Sequence, residues 1–244
     1  MRLPSASALS ATRPARSLIV AALFSSSGTA FSILLAATSV ALAPSLSKAS
    51  PALSILLVGG HLASWDLGTG AVDDAAGVAI AAAAAKRIMD AGRPLRTIRV
   101  VWFGAEEVGL FGGLDYRAKH GKEPHYAIAE SDFGADRVWR VTSKLGAARK
   151  AEADALASAL APLGIVKGST DEADGSDIGS MLADGVPGVG LSQDGTHYFD
   201  LHHTPDDTLD KIDPEQLRQN VAAWTTMLAV LSGGIEEPKR PRRR

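Results

Sequence analysis

The sequence predicts an α/β domain, three layers deep, with a mostly parallel central sheet covered by helices on both faces. Two patterns carry that expectation. After residue 50, short apolar runs closed by glycine alternate with alanine- and leucine-rich segments at helical spacing. The residues able to do chemistry fall at the ends of those apolar runs or in the loops just beyond them. A parallel sheet collects its sites at the carboxyl ends of its strands, so the two patterns support each other.

Taken in order, residues 54–60 (SILLVGG) read as a buried strand stopped by glycine. Residues 74–89 read as a helix: alanine-rich, acidic at the start, Lys86 and Arg87 near the end, Gly92 and Pro94 beyond. Residues 97–105 (TIRVVWFGA) are β-branched and aromatic, hence a strand. A helix follows over 109–120, then strands over 125–133 and 137–143. Alanine and leucine at helical spacing place a helix over 147–163. A short helix over 176–185, a strand over 186–192 and a closing helix over 214–231 complete the pattern. No internal repeat is visible.

Three regions result: a leader over 1–50, a domain over 51–232 and a basic tail over 233–244. The leader has Arg2, Arg13, Arg16 and Lys48 as its only charges, and none between Ser17 and Ser47. A basic start, apolar runs and a small-residue end at Ala41–Ala43 resemble a secretory signal, with Pro44 placed to hinder cleavage. An uncharged run of this length could also anchor the chain in a bilayer. The expected location is therefore secreted or periplasmic, with membrane anchoring left open. The tail reads as a solvated end.

Composition narrows the chemistry. Hydrophobic residues make up 46% of the 244 and charged residues 21%, which is globular rather than disordered. A net charge of -2 offers no overall field for nucleic acid. Cysteine is absent, which excludes disulfides, thiolate metal sites and cysteine nucleophiles. Any metal must be held by histidine, aspartate and glutamate. His61, Asp73, Glu106, Glu107, Asp132 and His203 all sit at strand ends or in adjoining loops. A lone loop aspartate is more often a helix cap. Several carboxylates and imidazoles at one sheet edge would repel one another or shift their pKa values unless a cation neutralised them.

Four blocks, GGHLASWDLGTGAVDDAAGVA, VVWFGAEEVGLFGG, AIAESDFG and YFDLHHTPDDTLDKIDP, resemble in order the motifs of the M28 family of zinc-dependent exopeptidases. The likeness is to its carboxypeptidase Q-like branch and bacterial aminopeptidase relatives, and it spans roughly residues 54–232. It implies a hydrolase with two Zn2+ per chain that releases terminal residues from a peptide or dipeptide substrate. His61 and Asp132 would bind one zinc, Glu107 and His203 the other, and Asp73 would bridge both across a cis Asp73–Asp74 peptide. Glu106 would be the general base, taking a proton from water and passing it to the leaving amine. His203, directly before Thr204, matches the ligand position, leaving His202 as a pocket or packing residue. Asp207 would shape the loop. Asp177 in GSDIG stands as either a helix cap or a pocket residue, and Tyr198 as a substrate contact or a packing ring. No nucleic-acid partner is implied, and a homodimer is left open.

Two departures from the family pattern stand out. Ala63 replaces the aspartate that supports the histidine ligand from behind, which predicts a loss of about 10–100-fold in metal affinity or activity unless a nearby acid such as Asp66, or a backbone carbonyl, already accepts that N–H. Residues 1–50 do not resemble the strands and helix that precede that histidine, which predicts an N-terminally truncated catalytic domain with a sheet edge left open. The expected function is therefore a zinc-dependent exopeptidase. The alternatives are a catalytically impaired relative that binds metal or peptide without efficient turnover, or a plain α/β domain with no site.

Overall fold

The computed structural model describes residues 54–236. The leader, and the tail beyond Glu236, lie outside them. In chain order the main elements are β1 (Ile55–His61), α1 (Ala76–Ala91), β2 (Arg93–Pro94), β3 (Thr97–Phe103), α2 (Phe111–His120), β4 (His125–Glu130) and β5 (Val138–Lys144). There follow α3 (Lys150–Leu160), β6 (Val166–Lys167), α4 (Gly179–Ala183), β7 (Gly188–Gln193), α5 (Tyr198–Leu201), α6 (Pro214–Leu231) and β8 (Ile235–Glu236).

Six strands form one sheet in the order β3-β1-β4-β7-β5-β6. All neighbours are parallel except β5 and β7. The sheet is thus mostly parallel, as the alternation of apolar strands and helices requires. Every residue of β1 is buried. Its side chains alternate between layers, as strand geometry dictates. Leu56 and Val58 enter a core built with α1, α3 and α6, while Leu57 enters a smaller core with Phe103, Tyr116, Ile178, Met181 and Leu182. Three helices therefore cover one face, and α2 with α4 cover the other.

Helix α1 is alanine-rich because it must lie close to both the sheet and α6; Ile80, Ala81 and Ala84 are fully buried. It begins later than the sequence suggests. Residues Ala71–Ala75 form a separate wide turn in which Asp73 and Asp74 have non-helical backbone angles. The acidic pair is therefore not an ordinary helix start. Helix α6 is capped by Asp213, whose carboxylate accepts from the N–H groups of Glu215 (2.7 Å) and Gln216 (3.2 Å), with Pro214 at the first helical position.

Several elements differ from the sequence expectation. The helix over 147–163 is α-helical only over Lys150–Leu160, with a 3₁₀ turn at each end. The strand over 125–133 ends at Glu130, which frees Asp132. Within the segment read as a tail, Ile235–Glu236 pair antiparallel with Arg93–Pro94. Two-residue strands such as β2, β6 and β8 are too short for periodicity to mark.

Candidate metal centre

Parallel strands β1, β3 and β4 end together, and three of the four motif blocks begin there. His61 is the last residue of β1, Glu106 and Glu107 follow β3, and Asp132 follows β4. Helix α1 carries the chain from β1 outward to β3, while β4 lies on the opposite side of β1. The crevice at such a reversal is where open α/β sheets place ligands. The fourth block arrives from the loop after β7, bringing His202 and His203.

Asp73 is at the centre. Its Oδ1 lies 3.1 Å from His61 Nε2, and its Oδ2 lies 3.3 Å from His203 Nε2. His61 Nε2 is also 3.3 Å from Asp132 Oδ1, and His203 Nε2 is 2.8 Å from Glu107 Oε2. Each imidazole therefore faces two carboxylates, and the two halves share Asp73. All five residues matched to the family's ligands meet in one place.

The local chain explains how they meet. Asp74, buried beneath the pair, accepts from the His61 N–H through Oδ2 (3.0 Å) and from the Gly77 N–H through Oδ1 (3.1 Å). A side chain at Gly60 would collide with the Asp74 carboxylate, and one at Gly77 with the Ser131 carbonyl, so this approach needs glycine at both positions. The Asp73–Asp74 peptide is cis. Asp207 holds Asp73 from the other side, accepting from the N–H groups of Val72 (2.6 Å) and Asp73 (3.1 Å).

Of the two possibilities for His61, it is a backbone carbonyl that stands where the carboxylate is missing. The second ring nitrogen does not go without a partner when aspartate is replaced by Ala63. Nδ1 lies 2.9 Å from the carbonyl oxygen of Ala63 itself, so the backbone supplies the acceptor. With that oxygen accepting from Nδ1–H, Nε2 is the nitrogen turned toward Asp73 and Asp132. Burial alone would lower the pKa of His61, but Asp132 and Asp73 outweigh it and push it up to about 12. A cation among these groups would satisfy the same carboxylates without protonating the ring.

The remaining electrostatics have the same source. Burial raises the Asp74 pKa, reinforced by Asp132. Burial also raises Glu106, again with Asp132 as the next contributor. Glu107 keeps one buried carboxylate oxygen, Oε1, without a hydrogen-bond partner. That donor set of imidazole nitrogens and carboxylate oxygens, with an orphaned oxygen and no thiolate, fits zinc ligation. An open cleft of about 510 Å³ exposes Asp73, Glu106, Glu107, Asp132, His202 and His203, with Phe133, Tyr198 and Phe199 on its wall.

Some placements were not legible in the sequence. His202 Nε2 comes within 3.5 Å of Asp73 Oδ2, and its ring stacks on His203 at 3.6 Å. Asp177 neither caps α4 nor lines the cleft; its Oδ1 accepts from the Gly113 N–H and ties α4 to α2. Glu130 accepts from the N–H groups of Asp177 (3.3 Å) and Ile178 (3.2 Å), and Ser176 Oγ donates to Asp132 Oδ2 at 2.9 Å. The one hint of this link in the sequence is an acid ending the apolar run AIAE. Tyr198 stacks on Phe133 at 4.3 Å and lines the same cleft as Asp73, so it both packs and faces the site.

A mostly parallel α/β fold with a histidine–carboxylate cluster at its switch point defines a candidate metal-site protein, and comparison with known proteins gives the family. The model of peptidase family M28 matches residues 42–228, and the chain belongs to that family. Carboxypeptidase Q from Bos taurus is 35% identical over 181 residues, covering 73% of this chain and 38% of its own length. The Homo sapiens protein of that name gives the same identity and coverage. The chain thus spans well under half the length of these curated relatives. Among solved structures, the peptidase M28 precursor from Shewanella amazonensis SB2B is 45% identical with a TM-score of 0.71, over 80% of this chain and 45% of that one. An aminopeptidase from Aneurinibacillus sp. strain AM-1 is 27% identical with a TM-score of 0.57, over 81% and 50% of the two chains.

Proposed function

We propose that this chain is a two-zinc exopeptidase acting on terminal bonds of peptides or dipeptides. The observation that carries the reading is the carboxylate of Asp73, whose two oxygens face the Nε2 atoms of His61 and His203. His61 and Asp132 would hold one zinc, Glu107 and His203 the other, with Asp73 between them. Zinc bound there would supply Lewis acidity toward the scissile carbonyl and lower the pKa of the attacking water. Glu106, next in sequence to a ligand and lining the same cleft, takes the proton from that water and delivers it to the leaving amine. Burial, with Asp132 next, raises its pKa, the direction that favours a group which must both accept and give a proton. The aromatic wall of Phe133, Tyr198 and Phe199 offers apolar surface to the substrate and excludes water on that side.

The impaired alternative drew its residue-level support from Ala63, and the Ala63 carbonyl at His61 Nδ1 weakens that support. Residues 51–232 are assigned as the catalytic domain. The leader over 1–50 is assigned to export or anchoring, which fits a secreted or periplasmic peptidase. No helix among the described residues is long and apolar enough to cross a membrane. The test is turnover of a panel of dipeptides, aminoacyl-anilides and carboxyl-terminal reporter peptides, with chelation and zinc add-back as controls. Zinc-restored hydrolysis is the expected result. Bound zinc without turnover on any substrate would favour the impaired relative, and absence of zinc binding would overturn the reading altogether.

A further inference from the structure

The two imidazoles at the site are held by different means. His61 is almost fully buried, and its Nδ1 is fixed by the Ala63 carbonyl at 2.9 Å. The side chain of His203 is 33% exposed, and its hydrogen bonds and ion pairs all run through Nε2, to Glu107 and Asp73. A histidine that ligates metal almost always donates its other ring N–H to a carbonyl, carboxylate or water, which sets the ring's orientation. Among the described residues His203 has no such acceptor, and its own backbone sits at φ 60, a region that side chains seldom adopt.

What His203 has instead is a stack. The ring of Trp65 lies parallel to it, 4.7 Å between centroids and 14° between planes. His202 stacks against it as well, at 3.6 Å and 20°. The loop that carries Trp65 is fastened to the loop that carries His203: the Thr69 N–H and hydroxyl both donate to the Asp207 carbonyl, at 2.9 Å and 3.0 Å. Trp65 is 45% exposed, so burial of an apolar ring in the core does not account for its position.

We propose that Trp65 is a positioning residue for His203, and that the Trp65–His203–His202 stack replaces the missing hydrogen bond at Nδ1 in aiming Nε2 at Glu107 and Asp73. The proposal rests on the two-zinc reading above. Stacking fixes the ring plane but supplies no acceptor for Nδ1 among the described residues. The His203 half of the site would therefore release its metal more readily than the buried His61 half.

The experiment is zinc affinity by chelator competition, alongside kcat and KM, for the full-length protein and the variants Trp65→Ala, Trp65→Leu, Trp65→Phe and His203→Ala. His203→Ala first tests the underlying reading: loss of one of two zincs supports it, and unchanged zinc content sinks both it and the proposal. Given that loss, Trp65→Ala and Trp65→Leu should weaken the less tightly held zinc by about 3–10-fold, the range expected from one aromatic pair. They should lower kcat more than they raise KM. Trp65→Phe should recover most of the loss, because a phenyl ring keeps the stacked face. If Trp65→Leu retains wild-type zinc affinity and kcat, or if Trp65→Phe is as impaired as Trp65→Ala, the stack does not position His203. Matching circular dichroism melts of the variants separate a local effect from unfolding.

Discussion

With the Ala63 carbonyl on one side of His61 and two carboxylates on the other, a single backbone oxygen decides how much this chain suffers from its departure at position 63. An aspartate introduced there would compete with an acceptor already in place. Ala63→Asp is therefore expected to change zinc affinity by less than about 3-fold, well short of the 10–100-fold typical of losing the only supporting partner. A side-by-side zinc titration measures this. A gain of 10-fold or more would show that the carbonyl contact is a poor substitute. The adjacent glutamates make the second residue-level prediction. Glu106→Gln should abolish turnover while keeping zinc, because its role is to carry a proton. Glu107→Gln should weaken zinc, because its carboxylate reaches His203 Nε2 at 2.8 Å. Zinc content measured beside kcat would expose a reversed assignment.

At the level of elements, local propensity and packing disagree at the start of α1, and packing wins. Replacing a helical glycine with alanine usually gains up to about 1 kcal/mol. At Gly77 the added methyl would run into the Ser131 carbonyl and the Asp74 carboxylate. Overpacking of this kind costs about 1–3 kcal/mol. Gly77→Ala should therefore lower the melting temperature despite its better helix propensity, and a rise would show that the segment relaxes at little cost. A second element-level prediction concerns the far end of the sheet. There Arg99 of β3 pairs with Glu123 at 2.6 Å and donates to the Tyr116 hydroxyl at 2.7 Å. That hydroxyl is 3.0 Å from His125 Nε2, while His125 Nδ1 faces the Glu123 carbonyl. His120 pairs with the other side of Glu123. Burial lowers the His125 pKa, and Arg99 adds to the shift. A base with a depressed folded-state pKa stabilises the fold while neutral and opposes it once protonated. Stability should thus fall as pH drops below about 6.5, the ordinary histidine value. His125→Gln should flatten denaturation midpoints between about pH 6.5 and 5. An unchanged slope would place the acid sensitivity elsewhere.

For the whole molecule, the crowding of acids at one edge predicts a strong coupling between metal and stability. Zinc binds the folded site and has no comparable arrangement in the unfolded chain. At 100 times its Kd it should stabilise by about 2.7 kcal/mol. In a domain of this size that is roughly 5–10 °C in melting temperature. Thermal melts with chelator, with zinc added back and with magnesium as a control measure the effect. A melting temperature indifferent to all three would mean that the carboxylates are neutralised by protons and the histidines alone.

The sequence by itself determined the fold class, the strand ends that carry the site, and the residues that gather there. Those properties are local: a buried strand must be apolar, a loop must follow it, and proton and metal chemistry needs imidazoles and carboxylates, which stand out against an apolar background. The tertiary structure decided what depends on distant backbone. Only the fold brings Asp207 to the N–H groups of Val72 and Asp73, and Trp65 onto His203. It also turned Asp177 from a presumed cap or cleft residue into a tie between helices, and drew Ile235–Glu236 out of the tail into a strand. Backbone carbonyls and N–H groups are the same at every position in a sequence, so which of them completes a site emerges only when the chain has closed around it.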